Sequence, residues 1–189
     1  MEEKELWFLQ GDSHPYVKLA FTSMVYFVQA RERLRLNQLP PALADALSPL
    51  AEQLQQPGAC FVSIKKAGNL RGCIGTIEPL TPSLGEEIAE NAVSAATRDP
   101  RFPQVRVDEL RELAVTVDVL SAPQAATREE LDPKKYGVIV EQGGRRGLLL
   151  PDLPEVTDPE FQVQIAAQKG RVNLDEPHNL YVFTVERYF

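Results

Sequence analysis

Cysteine and histidine are the scarcest reactive residues in this chain of 189, with two of each. A structural zinc site takes four Cys or His ligands, so every one would be needed, and neither a CxxC nor an HxxxH spacing occurs. No metal site is therefore expected, and two cysteines make no disulfide scaffold. Long apolar runs are missing too: no window approaches the roughly 18 to 20 consecutive apolar residues of a membrane span. The start, Met1-Glu-Glu-Lys-Glu, is acidic where a signal peptide is basic and then apolar. A cytoplasmic protein without a membrane partner is expected. Basic excess is also absent, since 20 Lys and Arg stand against 27 Asp and Glu for a net charge of −7. Nucleic acid is thus a disfavoured partner. What remains is an ordinary globular balance, 43% hydrophobic and 25% charged, enough for one domain with a good-sized core.

Apolar spacing at Val17, Phe21, Met24, Val25 and Val28 predicts a long amphipathic helix over His14 to Asn37, with Ser13 as N-cap and Arg31, Arg33 and Arg35 as its basic end. Leu43 to Leu54 reads as a shorter helix. Cys60 to Lys65 and Leu70 to Ile77 read as two strands about a Gly68-Asn69 turn of the II′ type. Ser83 to Arg98 is a helix with a Ser83/Glu86 capping box. Glu112 to Ser121 is a strand, Tyr136 to Leu150 a hairpin with a Gly143-Gly-Arg-Arg-Gly147 tip, Asp158 to Lys169 a helix closed by Gly170, and Leu180 to Arg187 a last strand. Hairpins mixed with helices point to an α+β fold with a largely antiparallel sheet flanked by helices and a possible smaller lobe, as one domain with its core over residues 14 to 187.

A Gly68-Asn69 turn pairs Lys66 with Arg71, Ile64 with Cys73 and Cys60 with Ile77. Cys60 and Cys73 then share a face about 13 Å apart at roughly 3.3 Å per residue, too far for a disulfide. Two cations opposed at Lys66 and Arg71 repel unless an acid or a bound anion lies between them. A cation two residues from Cys73 raises its thiolate fraction. Gly72 and Gly75 are poor strand residues and mark a bulge or a close approach. Cys60, between Ala59 and Phe61, reads as core. Two readings stay open for Cys73, buried filler or nucleophile, and two for Arg71, ion-pair partner or ligand-binding group. Asp99-Pro-Arg101-Phe-Pro is either a rigid corner or a ligand clamp. His14 and His178 stand at element boundaries, where capping is the simpler role, although either could supply a Cys-His pair.

Leu70-Arg-Gly-Cys-Ile-Gly-Thr76 resembles the signature of the AMMECR family, also called AmmeMemoRadiSam system protein A. In the same order follow Glu90-Asn91-Ala with Ala95-Ala96, Asp99-Pro-Arg-Phe-Pro103, Val117-Asp-Val-Leu-Ser121 and Gly147-Leu-Leu-Leu-Pro151, so the resemblance runs from about Tyr16 to Phe183. It implies a compact α+β domain with a pocket at Arg71 to Thr76, and two companions, a Memo-type protein and a radical S-adenosylmethionine enzyme. It names neither a reaction nor a cofactor. Ala166-Ala167 stands where related bacterial members often carry a cysteine, which weakens a dithiol mechanism.

The residues expected to matter are Cys73 and Arg71 as catalytic groups, with Gly72, Gly75, Thr76, Asn91, Asp99 and Arg101 binding a small anionic ligand. The first reading is an enzyme or enzyme component with Cys73 as thiolate nucleophile. The alternative is a non-catalytic ligand- or protein-binding scaffold using the same pocket.

Overall fold

Helix formation begins where His14 caps it: the His14 Nδ1 accepts the Tyr16 backbone N–H at 3.3 Å, ahead of α1 (Pro15–Ala30). The computed structural model describes residues 11 to 189, so the acidic start, Met1 to Glu5, lies outside the described residues. The cap is His14 and not Ser13, because Pro15 fits the first helical turn. The helix also stops at Ala30, seven residues before the expected end, with Arg31 in the left-handed region at φ 59°. Beyond it Leu34, Leu36 and Leu39 pack against the core. A straight continuation of α1 would carry them away from it.

The second expected helix is divided into α2 (Pro41–Leu47), a 3₁₀ turn at Ser48–Leu50, and α3 (Ala51–Gln55). Pro49 causes the break, since it has no N–H to donate and its ring opposes the preceding turn. Strands β1 (Ala59–Lys66) and β2 (Asn69–Gly75) follow, then α4 (Leu84–Thr97), capped by Ser83, whose hydroxyl accepts the Glu86 N–H at 3.2 Å. A 3₁₀ segment at Val107–Glu112 leads into β3 (Leu113–Leu120).

Next come β4 (Gln124–Ala125), too short for a sequence pattern, β5 (Gly137–Gln142), β6 (Arg145–Leu149) and α5 (Pro159–Gly170). The left-handed residue after α5 is Arg171 and not Gly170. Gly170 is instead dictated by contact, because a Cβ there would lie 2.4 Å from the Gly147 nitrogen. The last expected strand is two, β7 (Asn179–Phe183) and β8 (Val185–Tyr188), which break at Thr184 and enter different sheets.

The fold is α+β, with two antiparallel four-stranded sheets of order β2-β1-β3-β8 and β4-β7-β5-β6. The chain divides into two compact units: residues to Val119 with Arg187–Phe189, and Leu120–Glu186. In the first, α1 and α4 lie on the sheet face that carries Cys60, Val62, Ile64, Val115 and Val117, all in one apolar core. In the second, α5 covers β5 and β6 over Val138, Val140, Val163 and Ala166.

The β1–β2 register differs from the expectation. The turn residues are Ala67 and Gly68, at φ 48° and 81°, so both centre positions are left-handed, as a I′ turn requires. Lys66 therefore faces Asn69, and after an irregularity at Ile64/Lys65 the pairs are Ile64 with Gly72 and Ser63 with Cys73. Arg71 is the extra residue of the bulge and faces no partner. Cys60 sits near Thr76, whose N–H donates to the Cys60 carbonyl at 3.0 Å, and not opposite Ile77. One residue of slip exchanges the faces of a strand, and the two cysteines consequently lie on opposite faces of the sheet.

Candidate functional site around Cys73

Gly72 points toward α4, where a Cβ would lie 2.3 Å from the Ala95 carbonyl oxygen. Helix α4 can therefore approach β2 only because this position has no side chain. Gly75 is on the other face, and a Cβ there would meet the Phe61 ring at 2.2 Å. Cys73 shares that face. Its thiol is half-buried and accepts from the Ser63 hydroxyl at 3.3 Å.

Strand β2 is the edge of its sheet, and the Asp99 to Gln104 loop covers that edge. The Asp99 carboxylate, buried, accepts the Cys73 N–H at 2.8 Å, while Arg101 Nη2 donates to the Cys73 carbonyl at 3.3 Å. Side chains thus supply the donor and acceptor that a neighbouring strand would offer. Arg101 is itself held by Asp99, with Nε to Oδ1 at 2.9 Å and Nη2 to Oδ2 at 2.7 Å, and it lies 5.4 Å from the Phe102 ring centre. These bonds from Arg101, followed by the Cys73 N–H, hold the Asp99 carboxyl well below the usual carboxylate range despite its burial. Arg101 is raised in turn, first by Asp99 and to a smaller extent by the Cys73 side chain beside it.

Arg71 fastens the far end of the same loop. Its Nη1 donates to the Pro103 carbonyl at 2.7 Å and Nη2 to the Gln104 carbonyl at 3.2 Å, while Nη2 and Nε reach the two oxygens of Glu109 at 2.7 and 3.2 Å. Lys66 Nζ is 3.4 Å from the same carboxylate. The two nearby cations are reconciled by an acid between them. Arg71, with its other neighbours, brings the Glu109 carboxyl down to about 2. The cation that bonds Cys73 is Arg101, which reaches its backbone carbonyl from a loop 28 residues on.

Thr76 and Asn91 belong to a buried network. The Thr76 hydroxyl donates to Glu87 Oε1 at 2.5 Å, and Glu87 Oε2 also accepts from the Leu80 and Thr81 N–H groups and the Thr81 hydroxyl. Asn91 Nδ2 donates to the Cys60 carbonyl at 3.0 Å. Burial pushes the Cys60 thiol up to about 12, so it is core. Among the described residues, no three His, Cys, Asp or Glu side chains are grouped to hold a metal ion. The His14 ring meets Tyr16 edge-on at 4.8 Å and lies tilted against Tyr188 at 4.2 Å. In the second unit His178 lies 2.8 Å from the Glu176 carbonyl and 3.2 Å from Arg128. Since arginine has no acceptor, the imidazole receives there at Nε2 and donates from Nδ1.

The structure thus brings Arg71, Cys73, Asp99 and Arg101 together and sets Thr76 and Asn91 in a separate polar cluster. Ser63, Glu87 and Glu109 went unnoticed in the sequence. Ser63 follows from the register once the turn is placed at Ala67-Gly68, and Glu87 shares the apolar stripe of α4 with Ile88, Asn91 and Ala95. Glu109 carries no local signal. Among the described residues, a cleft in each unit is lined by residues other than 71 to 76.

Residues 17–188 match the AMMECR1 family model. A protein of Thermotoga maritima is 44% identical over 178 residues, covering 93% of this chain and 97% of its own length. Protein CA_C1420 of Clostridium acetobutylicum is also 44% identical, over 177 residues, but the match covers 94% of this chain and only 36% of that relative. The crystal structure of uncharacterized protein PH0010 from Pyrococcus horikoshii superposes with a TM-score of 0.77 at 28% identity, over 93% of this chain and 89% of that one. A family match over nearly the whole chain and a relative 44% identical over 97% of its own length agree: this protein belongs to the AMMECR1 family.

Proposed function

We propose that the protein is an enzyme, or a component of one, in which Cys73 acts as a thiolate nucleophile. The observation that carries this reading is the Arg101 guanidinium beside a half-buried thiol that already receives the Ser63 hydroxyl at 3.3 Å. Arg101 is placed to draw an anionic electrophile toward Cys73, and the Ser63 hydroxyl orients its sulfur. Arg71 serves by locking the loop that carries Arg101, and Gly72 and Gly75 by letting α4 and the Phe61 ring seat the strand. An electrophile with an anionic group fits beside Arg101, whose side chain is 55% exposed. The cytoplasm, which keeps thiols reduced, is the compartment this chemistry needs. Family resemblance adds a Memo-type protein and a radical S-adenosylmethionine enzyme as the partners that supply or consume the substrate.

Iodoacetamide labelling at pH 7 tests the proposal. Native Cys73 is expected to react at least as fast as in the urea-unfolded chain, and Arg101→Gln to slow it about tenfold. Native Cys73 slower than the unfolded thiol, or unmoved by Arg101→Gln, would sink the nucleophile role.

A second reading, a non-catalytic binding scaffold, is favoured by the fact that Arg71, Asp99, Thr76 and Asn91 already have protein partners. Under it Cys73→Ser keeps partner capture from a cell extract while Arg71→Ala abolishes it. The opposite order removes the scaffold reading.

A further inference from the structure

The early end of α1 creates a feature that the thiol chemistry does not use. In the first unit a cleft of about 1240 Å³ lies between the last turns of α1, the segment after it and the first turns of α4. Its α1 wall carries Tyr26 and Phe27. Arg31 opens the segment at φ 59°, a conformation that costs a non-glycine residue roughly 1 kcal/mol and that usually falls to glycine or asparagine. From Arg31 to Arg35 the chain is neither helix nor turn; Leu34 and Leu36 are half-buried on the core, while Arg31, Glu32, Arg33 and Arg35 are exposed. Arg31, Arg33 and Arg35 all line the cleft, and Glu32 lines it with them.

Two of them share one ring, since Arg31 and Arg33 lie 5.6 and 5.9 Å from the Phe27 centroid. Arg33 is neutralised by Glu90 across the cleft. Arg31 and Arg35 make no side-chain hydrogen bond or ion pair among the described residues. Guanidinium forks suit phosphate oxygens, and an aromatic wall beside them suits a flat ring. Glu86, on the α4 side, offers an acceptor to ring N–H groups.

We propose that this cleft binds a small phosphorylated heterocycle of nucleoside size, with its phosphate between Arg31 and Arg35 and its ring against Tyr26 and Phe27. The volume exceeds that of most single-ligand pockets, roughly 300 to 1,000 Å³, so such a molecule occupies the arginine end of it. The site is independent of Cys73, and its test reads binding and not reaction.

Calorimetric titration with AMP, adenosine and inorganic phosphate provides that test. AMP is expected to bind saturably, with adenosine and phosphate each at least tenfold weaker because neither uses both halves of the cleft. The double variant Arg31→Ala/Arg35→Ala should weaken AMP at least tenfold with an unchanged thermal melt, and Arg31→Lys/Arg35→Lys should recover only part of the loss. No saturable AMP binding overturns the proposal. So does phosphate binding as tightly as AMP, or full affinity in the alanine variant. Tighter binding of a short oligoadenylate than of AMP overturns the small-molecule assignment in favour of a nucleic-acid end.

Discussion

Glu109 is the residue on which the candidate site depends, since Arg71, Lys66 and the Arg106 N–H all converge on its carboxylate. Removing one partner of a mostly buried ion pair leaves the other uncompensated. Glu109→Gln is accordingly expected to lower the unfolding free energy by about 2 kcal/mol at pH 7, read from urea denaturation. Its pH dependence has a definite sign. The folded-state carboxyl lies at about 2, below its ordinary 4.5, so the stabilisation is complete above the unfolded value and fades as the pH falls from about 4.5 toward 2. Asp99 is depressed in the same direction, by Arg101 first, and adds to the loss in that range. The difference between wild type and Glu109→Gln should therefore shrink on acidification; a difference that is constant down to pH 3 would contradict the account. Asn91→Ala belongs to the same scale. It removes the bond to the Cys60 carbonyl in a buried setting and should cost about 1 to 3 kcal/mol, measured the same way.

At the level of elements, the β1–β2 hairpin separates two reasons for glycine. Gly72 is required by a neighbour: a Cβ would overlap the Ala95 carbonyl, which is helix backbone and cannot turn aside. Gly68 is required by its own φ of 81°, with open space around it. Gly72→Ala is expected to destabilise by about 2 to 3 kcal/mol, as overpacking does, and Gly68→Ala by only about 1. Equal losses in thermal denaturation would mean that α4 does not press on β2 as described. The hairpin also explains the misplaced partners of the sequence reading. Glycine at Gly68 signals a turn, but whether it takes the first or the second centre position depends on Ala67 accepting a left-handed φ of 48°. No local preference announces that choice. The twist of the paired strands imposes it, and it moves Cys73 from the core face to the face shared with Ser63.

At the scale of the whole molecule, two separate cores predict two sets of slowly exchanging amides. Val62, Ile64 and Val117 anchor one, and Val138 and Val140 the other, all fully buried. Native-state hydrogen exchange should show its strongest protection at these strands. Gly147→Ala, whose Cβ would meet the Ala166 carbonyl at 2.0 Å, is expected to lower protection in β5 and β6 by loosening α5 from them. Unchanged exchange there would show that the helix tolerates the added atom.

The sequence by itself determined the α+β class, most of the helices and strands, the family through its ordered segments, and Cys60 as core. These depend on periodicity, on turn and cap chemistry, and on apolar side chains whose burial is worth the same wherever they lie along the chain. Tertiary structure alone decided where α1 ends, because the pull on Leu34 and Leu36 comes from the packed core and not from their neighbours in sequence. It also decided that Arg101 and not Arg71 stands beside the Cys73 thiol, and that Glu109 answers the two cations. Contacts across 28 and 38 residues have no local signature. They exist only once the edge strand β2 must satisfy its open N–H and C=O groups and the Asp99 to Gln104 loop is the segment within reach.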